Sequence, residues 1–85
     1  MTRPIDVIAY EIIEDWNENS VKGIPNTVKP FLNAMTQLNS IEDSYGYDSA
    51  EEIIKLFIIN ASRFYKTQNS KKYLDELKKI VNWKN

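Results

Sequence analysis

The stretch "NSIEDSYGYDSAEEII", residues 39–54, gathers five carboxylates, two tyrosines and a glycine directly ahead of an apolar run. An acidic loop with a central glycine raises the chemistry of calcium, which takes oxygen ligands at fixed loop positions around that glycine. With Gly46 at the sixth place of such a loop, Glu52 falls on the twelfth and Asp43 on the third. The first place is then Ile41 and the fifth Tyr45. Two ligands are missing, so the loop is not expected to hold calcium. The chain has no cysteine and no histidine. Thiolate nucleophiles, disulfides, zinc-thiolate sites and histidine-based acid–base catalysis are therefore excluded. No convergent set of reactive groups stands out, and the expectation is a non-enzymatic protein with no cofactor, no metal and no catalytic residue.

The same stretch accounts better for a helix start. Asp48 suits an N-cap, and Glu51 can reach back to it as in a capping box. Glu51 and Glu52 lie where negative charge favours a helix N-terminus. Gly46 supplies a positive-φ turn. Tyr45 and Tyr47 flank it, and either pack over the loop or form an aromatic hot spot for a partner.

Three further polar groupings invite a functional reading. Glu11, Glu14, Asp15 and Glu18 make an acidic stripe, either a solvated helix face or an imitation of nucleic-acid phosphates. Arg63, Lys66, Lys71, Lys72, Lys79 and Trp83 combine positive charge with an aromatic ring, the ingredients of single-strand binding. The alternative is a lysine face in water with Trp83 folded onto the core. The sequence pI of about 5.4 argues against strong nucleic-acid affinity. Asn60, at the edge of an apolar arc, is either a buried amide satisfied by a neighbouring loop or a ligand contact.

Four helices must position these groups, and no convincing strand is present. The first is expected from Pro4 to about Trp16, with Ile5, Ile8, Ala9, Ile12, Ile13 and Trp16 on one arc. "NENSVKGIPN" reads as a loop. The second spans about Val28 to Leu38 with Thr27 as N-cap, and Pro30 is tolerated in the first turn. The third, Ser49 to about Tyr65, is the most apolar, with Ala50, Ile53, Ile54, Phe57, Ile58, Ala61 and Phe64 inward. The fourth, Lys71 to about Trp83, is capped by Asn69 or Ser70 and supported by Lys71–Asp75, Lys72–Glu76 and Asp75–Lys79 pairs. The expected fold is all-α: a compact four-helix domain over residues 1–85, with the apolar third helix at its centre.

Eighty-five residues suffice for one small core. The net charge of −1 conceals an asymmetry. Residues 1–52 carry three basic groups against ten acidic ones, a balance of −7. Residues 53–85 carry eight against two, a balance of +6. The halves either attract each other across the fold or offer a basic face to an acidic partner. There is no membrane-length apolar run and no signal-peptide layout, so a cytoplasmic protein is expected.

The segment "KPFLNAMTQLNSIEDSYGYDSAEEIIKLFIINASRF" resembles a family of small uncharacterised helical proteins of Gram-positive phages and integrative or mobile elements. The shared pattern is P-[FY]-L-x-A-M, then L-x-S-x-x-D-x-Y-G-x-D-S-A, then an apolar helix containing N-A. The chain carries it at Pro30, Phe31, Leu32, Ala34, Met35, Leu38, Ser40, Asp43, Tyr45, Gly46, Asp48, Ser49, Ala50, Asn60 and Ala61. The segment "YKTQNSKK" departs from the glycine that follows the third helix in that pattern. The resemblance implies a genetic setting: an accessory protein of a phage or mobile element, working by protein–protein contact. The alternative is a small nucleic-acid-associated protein that assists replication or regulation of the element, binding weakly.

One apolar residue breaks the core pattern. Ile59 lies opposite the centre of the third helix's apolar arc at about 100° per residue. Leu56 borders the same side, and Val7 and Tyr10 are likewise apolar on the outer side of the first helix. Ile59 and Leu56 therefore either form a surface patch for a protein partner or a second copy, or are core residues of a helix wrapped on all sides.

Overall fold

The computed structural model describes residues 3–84. Its helices are α1 (Ile5–Asn19), α2 (Lys29–Met35), α3 (Ala50–Ala61) and α4 (Ser70–Ile80). Helix α1 packs on α2, α2 on α3, α3 on α4, and α4 closes back onto α1. The radius of gyration is 11.7 Å, against about 12 Å for a compact chain of this length. The molecule is thus compact and mostly helical.

The core follows the apolar periodicity. Ile5, Ile8, Ala9, Ile12 and Trp16 of α1 meet Leu32 and Met35 of α2, the inward face of α3, and Tyr73 and Leu77 of α4 in one buried cluster. On α3 that face is Ala50, Ile53, Ile54, Phe57, Ile58 and Ala61. Phe64, expected there, is half-exposed. The helix stops at Ala61 and the chain turns, so Phe64 loses its angular phase. Tyr65 is buried instead, stacked on Trp16 with ring centroids 4.5 Å apart.

Several ends differ from expectation for local reasons. Helix α1 runs to Asn19, because the Asn19 amide donates to Asp15 one turn back at 2.8 Å. Thr27 does not cap α2. A backbone turn from Pro25, accepting from Val28 and Lys29, precedes it, and Val28 stands at the N-cap. Past Met35 the chain tightens into three-residue turns, with Gln37 bonded to Ala34 and Leu38 to Met35, so Leu38 stays buried outside the helix.

Asp48 does not cap α3. Ser49 does, its hydroxyl accepting from the Glu52 N–H at 3.2 Å. Asp48 is engaged in a strand pair that alternation did not reveal: β1 (Ser44–Tyr45) lies antiparallel to β2 (Asp48–Ser49), with Tyr45 opposite Asp48. Gly46 and Tyr47 form the two-residue turn. Gly46 has φ +67°, a value that suits the first central position of a primed hairpin turn and favours glycine.

Candidate interaction surface

The ionisable groups with the strongest environments are tied up within the fold. Asp15, expected on an outer acidic stripe, is only 6% exposed. One carboxylate oxygen accepts from Asn19 at 2.8 Å and from Asn69 at 3.0 Å. The other accepts from the Tyr65 and Thr67 hydroxyls. Burial alone would raise its pKa, but these four donors outweigh burial and hold the carboxyl below its usual range. The Tyr65 hydroxyl is pushed up by burial and by its bond to that carboxylate. The cluster ties α1 to the α3–α4 connection and the start of α4. Asn69 spends its side chain here and makes no cap bond to α4.

Arg3 clips the chain start to two helices. Its guanidinium forks onto both oxygens of Glu76, at 2.9 and 2.8 Å, and both of Glu11, at 2.9 and 2.8 Å. The bond from Arg3 holds the Glu11 carboxyl below its ordinary value. This fork replaces the expected Lys72–Glu76 pair, and Lys72 lies over the Tyr73 ring instead, 5.3 Å from its centroid. The ion pair from Arg3 to Glu76 joins the two halves of the chain with signs opposite to their net charges.

In the acidic loop, Asp43 accepts from the backbone N–H of Asn39 at 2.7 Å and of Ser40 at 3.0 Å, which lowers its pKa. Its carboxylate shapes the turn. Among the described residues no group of three or more acidic side chains is placed to hold a metal ion, and no helix is long and apolar enough to cross a membrane.

Among the exposed apolar side chains, two stand next to each other on the outer side of α3. Ile59 is 58% exposed and Leu56 42%. Glu52, ahead of them, and Arg63, in the turn after Ala61, are also exposed. In that turn Ser62 bonds back to Ile58, and Phe64 and Tyr65 both bond to the Ala61 carbonyl. Asn60 is half-buried, and its amide donates to the Leu56 carbonyl of its own helix at 2.7 Å. It is neither the buried amide satisfied by a loop nor a vacant ligand group.

A hollow of about 500 Å³ opens beside Ile59, lined also by Lys55 of α3 and by Val81, Asn82 and Trp83 after α4. The end of α4 builds this wall. Asn82 has φ +57°, the Asn82 N–H bonds Lys79, and the Trp83 N–H bonds Lys78 at 2.8 Å. Those two bonds with a left-handed residue between them make a Schellman motif, which folds the chain back over its own helix. Trp83 thereby packs partly against the core.

The sequence-derived groups are thus redistributed. Trp83 joins Ile59, two residues assigned to different surfaces. Lys79 and Trp83 share a second hollow along the last turns of α4, lined also by Asp75, Lys78 and Asn82. Arg63 and Lys66 are exposed on the α3–α4 connection, at the opposite end of α4, and Lys72 lies one turn from that end. The basic residues therefore do not form one patch around Trp83. Tyr47 is fully exposed and Tyr45 half-exposed on the hairpin leading into α3. Val7 and Tyr10 are exposed on α1, which lies across the helix ring from α3.

Comparison with protein-family models, with curated proteins and with solved structures finds no match to this chain.

Proposed function

We propose that this chain is a non-enzymatic, cytoplasmic accessory protein of a phage or mobile element that acts by protein–protein contact through the outer face of α3. The observation that carries this reading is the pair Leu56 and Ile59, two aliphatic side chains exposed side by side on a helix whose opposite face fills the core. A lone exposed isoleucine is ordinary. A pair beside a hollow walled by a tryptophan has the make-up of an interface centre, where aromatic and apolar groups concentrate. In this reading α3 is the central element of a single, mostly helical domain, binding the core with one face and a partner with the other. Tyr45 and Tyr47 extend the surface toward the α3 N-terminus. The ionisable groups support a structural role for their side chains, because Asp15, Glu11, Arg3 and Asp43 are each bonded within the fold.

Affinity purification from the native host with the wild-type chain and with Ile59→Glu tests it. The expected result is a protein captured by the wild type and lost by a variant that keeps its helical circular dichroism. Equal capture by both chains overturns the reading.

A second reading draws on the exposed cations Arg63, Lys66, Lys72 and Lys79 and the +6 balance of residues 53–85. It makes the chain a weak nucleic-acid binder. Fluorescence anisotropy on single-stranded DNA at low salt then shows binding that fades at physiological salt and with Lys72→Glu plus Lys79→Glu. Binding indifferent to salt rules out this electrostatic form of it.

A further inference from the structure

Along the outer side of α3 Glu52, Leu56 and Ile59 are exposed, with Glu51 beside them, and Arg63 is exposed in the turn that follows Ala61. The spacing of Glu52, Leu56, Ile59 and Arg63 is four, three, four, the alternation that keeps a coiled-coil seam on one side of a helix. At about 100° per residue Glu52, Leu56 and Ile59 fall within an arc of about 60°, and Arg63 follows in the turn after Ala61. They form one narrow stripe, with Leu56 and Ile59 in the middle and a charge at each end.

The stripe is a palindrome in spacing and in chemistry. Read backwards it is again charged, aliphatic, aliphatic, charged, with the end charges of opposite sign. Laid antiparallel on a copy of itself, Leu56 falls level with Ile59, and Glu52 falls level with Arg63. An isologous two-fold contact demands this kind of self-complementarity, since each residue's partner must find the same relation in return. A parallel pairing would set Glu52 on Glu52 and Arg63 on Arg63, which like-charge repulsion disfavours. The antiparallel arrangement also brings the positive end of one helix dipole to the negative end of the other.

We propose that the outer face of α3 binds a second copy of this chain, antiparallel, with Leu56 and Ile59 at the centre and Glu52 paired to the partner's Arg63 at both ends. This rests on the reading of that face as a protein contact and names its occupant. Val81 and Trp83 extend the apolar ground beside Ile59. A single helix stripe covers less than the roughly 800 Å² per partner of a standard interface. Area alone does not set affinity, so a reversible dimer is sought across a wide range of concentration.

Sedimentation equilibrium from micromolar to millimolar chain tests the proposal. The wild type shifts from monomer to dimer as concentration rises. Glu52→Arg and Arg63→Glu each weaken the dimer by roughly tenfold or more, because the two-fold axis repeats the lost pair. The double swap restores it, since reversing both ends re-creates two opposite pairs. Residue 52 is already about 14 Å from the end of α3 at residue 61, so the rescue does not come from a contact within a chain. Ile59→Glu is monomeric at every concentration with unchanged helical signal. A wild type that stays monomeric, or a double swap no better than either single one, overturns the proposal. If the wild type is monomeric yet Ile59→Glu still loses a captured host protein, the second copy is wrong and the contact surface stands. If capture is also unchanged, both fall.

Discussion

Asp15 holds donors from α1, the α3–α4 connection and the residue before α4 on its two oxygens. Replacing it by alanine leaves the Tyr65 and Thr67 hydroxyls without their acceptor in a buried place. A loss of about 3 kcal/mol is expected, read as a lower urea midpoint with unchanged slope. The pH dependence follows from the direction of its pKa. A carboxyl held below its usual range in the folded chain stabilises it at every pH above the unfolded value of about 4. That stabilisation is lost as pH falls through the lower folded value. Glu11, held down by Arg3, acts in the same sense. Urea midpoints should therefore be flat near neutrality and fall below about pH 4, and Asp15→Asn should be less stable at neutral pH with a shallower acid limb. Midpoints that hold steady down to pH 2 in the wild type would remove this role from Asp15. Nothing in the sequence disclosed the cluster. Asp15 shares its helical side with Glu11 and Glu18, so local pattern placed it in water. Its partners Tyr65, Thr67 and Asn69 come from 50 to 54 residues further on.

At the scale of elements, the helix faces were legible where apolar spacing is regular, and the ends were not. The six buried positions of α3 follow the period of the helix, and the same arithmetic placed Ile59 on the far side. The cap moved from Asp48 to Ser49 because Asp48 is taken by a strand pair of two residues, too short for alternation to register. The wall around Trp83 was illegible for a different reason. It depends on a left-handed Asn82 and on α4 running back beside α3. Asn82→Gly keeps that backbone and should be neutral or slightly stabilising. Asn82→Val forces a β-branched residue into the left-handed region and should cost about 1–2 kcal/mol. Thermal melts of the two variants check the ordering. Equal melting temperatures would show that the turn does not fix the end of α4.

For the whole molecule, the two halves carry opposite charge, yet the fold joins them chiefly through apolar packing, one buried carboxylate and the Arg3 fork. Exposed lysines on the later half remain in water. The acidic loop keeps its Asp43 oxygen on backbone N–H groups, and Ile41 and Tyr45 stand where calcium ligands would be needed. The melting temperature should accordingly be the same in EDTA and in millimolar calcium. A rise of several degrees with calcium would mean a ligand of the folded state, since such binding must stabilise it. The surface charge, by contrast, gives the outer face of α3 its acidic and basic ends, and that face is the centre of the account. The most direct test is a dilution series followed by backbone amide chemical shifts, from millimolar to micromolar chain. Concentration-dependent shifts are expected at Glu52, Leu56, Ile59, Arg63 and Trp83, with Val7 and Tyr10 on α1 unmoved. Shifts centred on Val7 and Tyr10, or none at any concentration, would contradict it.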